Sequence, residues 1–225
     1  MKKHICVFDP AVKEPATPCF NRMTASYPSL RFSYHLPAIM GLKTLEHVDR
    51  PDAVLILGSA AFVSDEAPWQ KELWSRVHDL LQGGVPTLGL CFGHQLVAKG
   101  FGATVDYIET DHRRLAGVRE IEFTSAVGGI ERGSRLSITV NHRQEIKGIP
   151  SCLDLVATSE GCRFEGIRHR ELAFWGFQGH AEASPYFLTE YIGGIHPAAM
   201  HDALGGGSRI LDAFFHFANI SETPK

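Results

Sequence analysis

The 225-residue chain is 44% hydrophobic and 21% charged, with a formal net charge of −3; this is a globular balance that fills one buried core and offers no basic stripe to nucleic acid. No apolar run approaches the ~20 residues of a transmembrane helix, and the apolar stretch in the opening MKKHICVFDP is too short for a signal-peptide core. Five cysteines, an odd number without a CxxC pair, fit reduced thiols in a cytoplasmic protein better than a disulfide framework.

Twelve histidines raise the question of a metal, but no HExxH and no paired Cys/His spacing answers it, so neither a metal nor a cofactor is expected. No Gly/Ser-rich linker, internal repeat or low-complexity segment interrupts residues 1–225, which read as one domain.

Apolar runs of strand length alternate with helical patterns. His4–Phe8, stopped by Asp9-Pro10, reads as a buried first strand. Residues 10 to 30 carry four prolines and leave room for at most a short helix before a second strand over Leu30–Tyr34. Ala53–Leu57 is apolar throughout, as in a parallel strand covered on both faces, and ends at Gly58-Ser59. A helix follows, capped by Ser64 or Asp65, with Pro68 in its first turn and Gly83-Gly84 as its stop. Its buried stripe is Trp69, Leu73, Val77, Leu80 and Leu81.

Val85–Leu90 is then a strand and Phe92–Lys99 a helix closed by glycines. From Ala103 to Arg170 the stretches shorten and alternate, which suggests antiparallel strands, among them Val118–Thr124, Leu136–Val140 and Leu153–Thr158. Leu172–Phe177 is a further apolar strand, Ser184-Pro185 starts a helix, and Gly205-Gly206-Gly207 reads as a hinge-like break before a last helix over Ile210–Phe217. The order predicts an α/β fold with a mainly parallel central sheet and a small antiparallel addition.

The chemistry centres on GLCFGHQ at residues 89–95. A cysteine between two glycines, where a strand passes into a helix, is the thiol counterpart of the G-x-S-x-G nucleophile elbow. The glycines let the backbone turn sharply, and the helix N-terminus favours the thiolate that attacks. The Phe92 N–H lies in the same turn as a donor to an oxyanion. Downstream, FWGFQGHAE places His180 just after a strand and Glu182 two residues on. In an extended segment both side chains point to one side, so the carboxylate orients the imidazole that serves the thiol.

Cys91 in GLCFGHQ together with GFQGHAE resembles the class I glutamine amidotransferases, most closely the amidotransferase domain of GMP synthase and its stand-alone relatives. The likeness runs from about Ile5 to Tyr186. It implies a single-domain, three-layer α/β/α, flavodoxin-like fold and a Cys91–His180–Glu182 triad that hydrolyses the γ-amide of glutamine, or of a related γ-glutamyl compound, through a γ-glutamyl thioester. LILGS resembles the family's glycine-rich oxyanion strand, which brings Gly58 and Ser59 beside the thiol. Gln95 and the loop with Asn141 and His142 match glutamine-binding positions.

The chain departs from the family pattern at four places. Ser59 replaces a second glycine, Asn141 replaces a serine, and Gly179 and Ala181 replace Phe and Pro around the histidine. The small residues at 179 and 181 point to room for a leaving group larger than ammonia.

Three functions are consistent with these residues: a glutaminase subunit that feeds ammonia to a separate synthetase, a stand-alone γ-glutamyl peptidase or hydrolase, and a non-catalytic regulatory module of the same fold. An intact triad counts against the last. A one-chain synthetase lacks its nucleotide loop here, because neither GxxxxGK[ST] nor SGGxDS occurs.

Overall fold

Strand β1 (His4–Phe8) is buried at every position, as it must be when helices cover both faces of a parallel sheet. The computed structural model describes residues 2–43 and 49–220. In it β1 lies between β2 (Arg31–His35) and β3 (Ala53–Ile56), parallel to both. Strand β4 (Thr87–Leu90) pairs parallel with β3, and the late strand β11 (Phe174–Phe177) pairs parallel with β4.

Beyond β11 the sheet continues antiparallel through β10 (Cys162–His169), β9 (Leu153–Ser159), β6 (Leu115–Phe123) and β7 (Arg135–His142). This makes a nine-stranded sheet of order β2-β1-β3-β4-β11-β10-β9-β6-β7. Strands β5 (Thr104–Tyr107) and β8 (Gln144–Gly148) form a separate antiparallel pair.

The α/β class expected from the sequence is the observed one, but the antiparallel part is a continuation of the main sheet rather than a small appendage. Connection length explains the change of direction. Only residues 170–173 separate β10 from β11, so the two can pair only as a hairpin, whereas β4 and β11 are joined by a long crossover and can run parallel.

The alternation of each strand divides the core into two layers. Ile5, Val7, Leu88 and Leu90 face the side covered by α1 (Thr17–Ser26) and α5 (Pro197–Phe217). Cys6, Phe8, Val54 and Ile56 face the side covered by α3 (Pro68–Gln82) and α4 (Phe92–Gly100). The expected stripe of α3 is buried at Leu73, Val77, Leu80 and Leu81, while Trp69 stacks on Phe92 of α4 at 5.5 Å. A single turn, α2 (Pro37–Met40), follows β2. Helix α3 begins at Pro68 rather than at Ser64 or Asp65, which sit in a separate 3-10 turn over Val63–Asp65.

The triple glycine is not a hinge. Gly205, Gly206 and Gly207 lie inside the continuous helix α5. A Cβ on Gly206 would stand 2.0 Å from the Ser137 carbonyl oxygen of β7, and one on Gly207 would stand 2.6 Å from the Ala181 carbonyl oxygen. Glycine costs a helix about 1 kcal/mol relative to alanine; here it lets the α5 backbone lie directly on β7 and on the loop that carries His180. The apolar residues Ile210, Leu211, Phe214 and Phe215 hold the rest of the helix in the core. The helix expected at Ser184-Pro185 does start there, with Ser184 Oγ accepting the Phe187 N–H at 3.1 Å, but it runs on as a π-turn over Phe187–Ile192. Among the described residues, no helix is long and apolar enough to cross a membrane.

Candidate active site

Cys91 joins β4 to α4 with φ 49° and ψ −103°, so the strained conformation falls on the cysteine itself rather than on its glycine neighbours. Gly89 and Gly93 are required by close approach. A Cβ on Gly89 would stand 2.6 Å from the Gly93 backbone, and one on Gly93 would stand 2.4 Å from the Ile56 carbonyl oxygen. The first turn of α4 therefore presses onto the ends of β3 and β4, and the Cys91 N–H is tied to the Phe177 carbonyl of β11 at 2.8 Å. The side chain that emerges is buried, with Sγ 3.8 Å from the Asn141 carbonyl oxygen.

His180 and Glu182 follow β11, and His180 Nδ1 lies 2.8 Å from Glu182 Oε1. They meet through a turn, not an extended segment: the Ala183 N–H donates to the His180 carbonyl at 3.1 Å, while the His180 N–H is anchored on the Thr139 carbonyl at 2.8 Å. Burial alone disfavours the imidazolium, but the Glu182 carboxylate and the Cys91 sulfur outweigh it and hold His180 well above the usual histidine range. Its Nε2 has no hydrogen-bond partner among the described residues. The Phe187 ring packs against the imidazole at 5.0 Å.

Gly58 closes the other side. A Cβ there would stand 2.4 Å from His180 Cε1 and 3.4 Å from Cys91 Cβ, so only a glycine fits between the two. Ser59 Oγ turns away, donating to the Pro10 carbonyl at 2.6 Å and accepting the Ala61 N–H at 3.0 Å. Among the described residues the N–H groups of Gly58 and Ser59 donate to no other group. The Phe92 N–H precedes the first helical bond of α4, Gln95 N–H to Cys91 O at 3.1 Å, and is free for the same reason that every helix start leaves donors. Three unengaged backbone donors thus sit on the segments that flank the thiol.

The residues expected to bind substrate divide. Asn141 reaches the site edge, where its Oδ1 accepts from Arg114 Nε at 2.6 Å; Arg114 also donates to the Tyr191 carbonyl and so links the β5–β6 connection to the π-turn. His142 is buried, with Nδ1 on the Gln144 carbonyl at 3.0 Å and its pKa pushed down by burial to about 4, so it is neutral at physiological pH. Gln95 is engaged inside the protein: its Nε2 donates to the Gln144 carbonyl at 2.6 Å and to Gln178 Oε1 at 3.0 Å. Among the described residues no group of three His, Cys, Asp or Glu side chains is placed to hold a metal ion.

The family model for glutamine amidotransferase class-I matches residues 22–189. The chain belongs to this family. Its relatives include one component of the glutamine-hydrolyzing GMP synthase of Methanopyrus kandleri, 37% identical over 112 residues that make up 49% of this chain and 57% of the relative. The same component from Methanococcus maripaludis is 32% identical over 111 residues, 49% of this chain and 56% of the relative. The chain spans about half the length of these curated relatives. A solved glutamine amidotransferase from Thermotoga maritima superposes with TM-score 0.69 at 18% identity, covering 97% of each chain. One from Methylobacillus flagellatus gives 0.66 at 19%, covering 98% of this chain and 93% of that one. At these identities the superpositions speak for the fold.

Within the amidotransferase fold, the small residues beside His180 have a structural explanation. A Cβ on Gly179 would stand 2.2 Å from Ile138 Cδ1 and 3.1 Å from the Thr139 carbonyl oxygen. Ala181 is buried with Gly207 of α5 against its backbone. Ile138 occupies the space that a side chain at 179 would take, so position 179 does not open the expected room for a large leaving group. Two residues near the triad escape sequence reasoning. Gln178 lies with Nε2 3.8 Å from Cys91 Sγ. Buried Asp9 receives the Tyr34 hydroxyl and the N–H groups of Ala11 at 3.1 Å and Ala16 at 2.7 Å, which shapes the loop after β1. Gln178 stands inside FQGHAE, two residues before the histidine; Asp9 has no signal beyond ending a strand.

Proposed function

We propose that the chain hydrolyses the γ-carboxamide of glutamine through a thioester on Cys91. One observation carries this reading: the thiol at the β4–α4 elbow lies beside the His180–Glu182 pair, with unengaged N–H groups at Gly58, Ser59 and Phe92. In the proposed reaction the Cys91 thiolate attacks the γ-carbonyl carbon, and the resulting oxyanion is held by those backbone donors, each worth about 3–4 kcal/mol in comparable sites. His180, as imidazolium, gives its proton to the departing nitrogen, so the C–N bond breaks and ammonia leaves. The imidazole then takes a proton from water, whose oxygen attacks the thioester, releasing glutamate and regenerating the thiolate. Glu182 fixes the imidazole tautomer and stabilises the imidazolium.

In the proposed complex the amino-acid end of the substrate meets Asn141, which Arg114 holds at the edge of the site, with neutral His142 next to it in the chain. The described residues work as one unit in this proposal, because α5 packs on β7 and on the loop that carries His180 and Glu182.

For the fate of the ammonia, we infer that it passes to a separate synthetase subunit, where a substrate of that subunit accepts it. Two observations support this. The matched relatives bear the name of one component of a GMP synthase. The exposed apolar side chains Val12, Ile39, Met40, Tyr186 and Tyr191 follow the C-terminal ends of β1, β2 and β11, the edge at which Cys91 lies. A stand-alone peptidase requires space for a large leaving group, and Ile138 fills the space expected to supply it. The test is steady-state kinetics of the purified chain on glutamine and on γ-glutamyl peptides side by side. Ammonia release from glutamine, abolished in Cys91→Ala, supports the proposal. Preference for the peptides assigns a peptidase instead, and inactivity on both substrates, alone and with added synthetase, rejects the catalytic reading.

A further inference from the structure

Gln178 is fully buried in the loop between β11 and His180, and its orientation follows from what its neighbours can do. A backbone carbonyl only accepts, so the Gln95 atom 2.6 Å from the Gln144 carbonyl is the amide nitrogen. That nitrogen also contacts the Gln178 side chain at 3.0 Å, and the partner atom there must be the oxygen. The remaining end of the Gln178 carboxamide, the NH2 group, then faces Cys91 Sγ at 3.8 Å. A flipped amide would set nitrogen against nitrogen at one end and oxygen against sulfur at the other. The Gln178 N–H is fixed as well, on the Glu165 carbonyl of β10 at 2.8 Å. Backbone carbonyl, Gln95, Gln178 and sulfur form one directed chain.

The sulfur therefore sits between groups of opposite demand. The Asn141 carbonyl, 3.8 Å away, can only accept, and suits a neutral thiol. The Gln178 NH2 can only donate, and suits a thiolate. We propose that Gln178 is a positioning residue for the nucleophile: its amide, locked by Gln95, donates to the Cys91 sulfur once it is ionised and holds it against His180. On deprotonation the sulfur is repelled by the Asn141 carbonyl and drawn to Gln178, where a charge-assisted contact shortens relative to the neutral one. This assigns Gln95 as well: it orients Gln178. The inference rests on Cys91 being the nucleophile of the proposed reaction.

The experiment compares the full chain with Gln178→Glu and Gln178→Met, following Cys91 alkylation by iodoacetamide across pH by peptide mapping, together with the ultraviolet absorbance of the thiolate. His180 and Glu182, the charged groups beside the sulfur, are unchanged in both variants. Removing the donor should move the alkylation profile to higher pH by about one unit, a tenfold lower rate on its rising limb, and by more in Gln178→Glu than in Gln178→Met. A merely structural glutamine would alter melting but not this profile. If Gln178→Glu does not fold, Gln178→Met carries the comparison. Wild-type profiles in the folded variants overturn the inference while leaving a reactive Cys91, and the proposed function, in place. A wild-type Cys91 no more reactive than the half-buried Cys152 overturns the proposed function and this inference together.

Discussion

Glu182 Oε1 meets His180 Nδ1 at 2.8 Å across a turn closed by the Ala183 N–H, so the carboxylate is delivered by the same short loop that aims the imidazole. Both side chains are buried, and their attraction is little screened by solvent. Glu182→Gln keeps the size and an acceptor but removes the charge that holds His180 as imidazolium. By analogy with other triads, kcat for glutamine should fall by about a thousand- to ten-thousandfold, with a nearly unchanged melting curve. Full activity in the folded variant would remove Glu182 from the site.

Gly58 has no room for a side chain, since its Cβ would stand 2.4 Å from His180 Cε1. Gly58→Ala should push the imidazole off its line to Cys91 and lower kcat by at least about a hundredfold, the scale expected of a 1 Å misplacement. Circular dichroism should report a folded protein. Unchanged kinetics would mean that the His180 position seen here is not the working one.

The three glycines of α5 should behave differently. A Cβ on Gly205 meets nothing among the described residues, so Gly205→Ala should stabilise the protein by about 0.4–1 kcal/mol through helix propensity and a less flexible unfolded chain. Gly206→Ala places a methyl 2.0 Å from the Ser137 carbonyl and should destabilise by about 1–3 kcal/mol. Urea unfolding of the two variants measures the contrast. A true hinge would be indifferent to which glycine is replaced.

Acid should destabilise the fold through its buried neutral histidines. Burial pushes His94 down to about 3 and His142 to about 4. Both values lie below the ordinary value near 6.5, so the unfolded chain binds protons first. Their contribution is intact above about pH 6.5 and is lost as the pH falls toward the folded values, at up to about 1.4 kcal/mol per pH unit for each histidine. Asp9 and Glu165, held above the usual carboxylate range mainly by burial, work in the opposite direction. The clean readout is therefore a difference: unfolding free energy measured from neutral to about pH 4.5 should fall less steeply in His142→Gln than in the wild type. Equal slopes would contradict the buried neutral state.

Strands β1, β3 and β4 of the parallel half were legible because they are short, largely apolar runs ended by Asp9-Pro10, Gly58-Ser59 or the elbow, and such runs have few alternatives. The elbow and the H-x-E pair were legible for a related reason: nucleophile, base and orienter demand particular residue types next to particular elements. The triple glycine was misread because a glycine needed for contact with Ser137 and a glycine needed for flexibility look identical in sequence. The same holds at 179, where the meaning of a missing side chain depends on Ile138, which is 41 positions away in the chain. Gln95 matched a binding position, yet its amide points to Gln144 and Gln178, a relation created only when β8, α4 and the loop after β11 pack together.

Covalent trapping tests most directly whether Cys91 carries the reacting atom. An electrophilic glutamine analogue is incubated with the wild-type chain, and the adduct is located by intact mass and peptide mapping. Burial pushes the thiol of Cys6 up to about 12 and that of Cys19 up to about 11, and it raises Cys162 as well, so these three resist ionisation. The predicted result is one adduct, on Cys91, slowed when excess glutamine competes for the site. An adduct on another cysteine with Cys91 unmodified would contradict the mechanism.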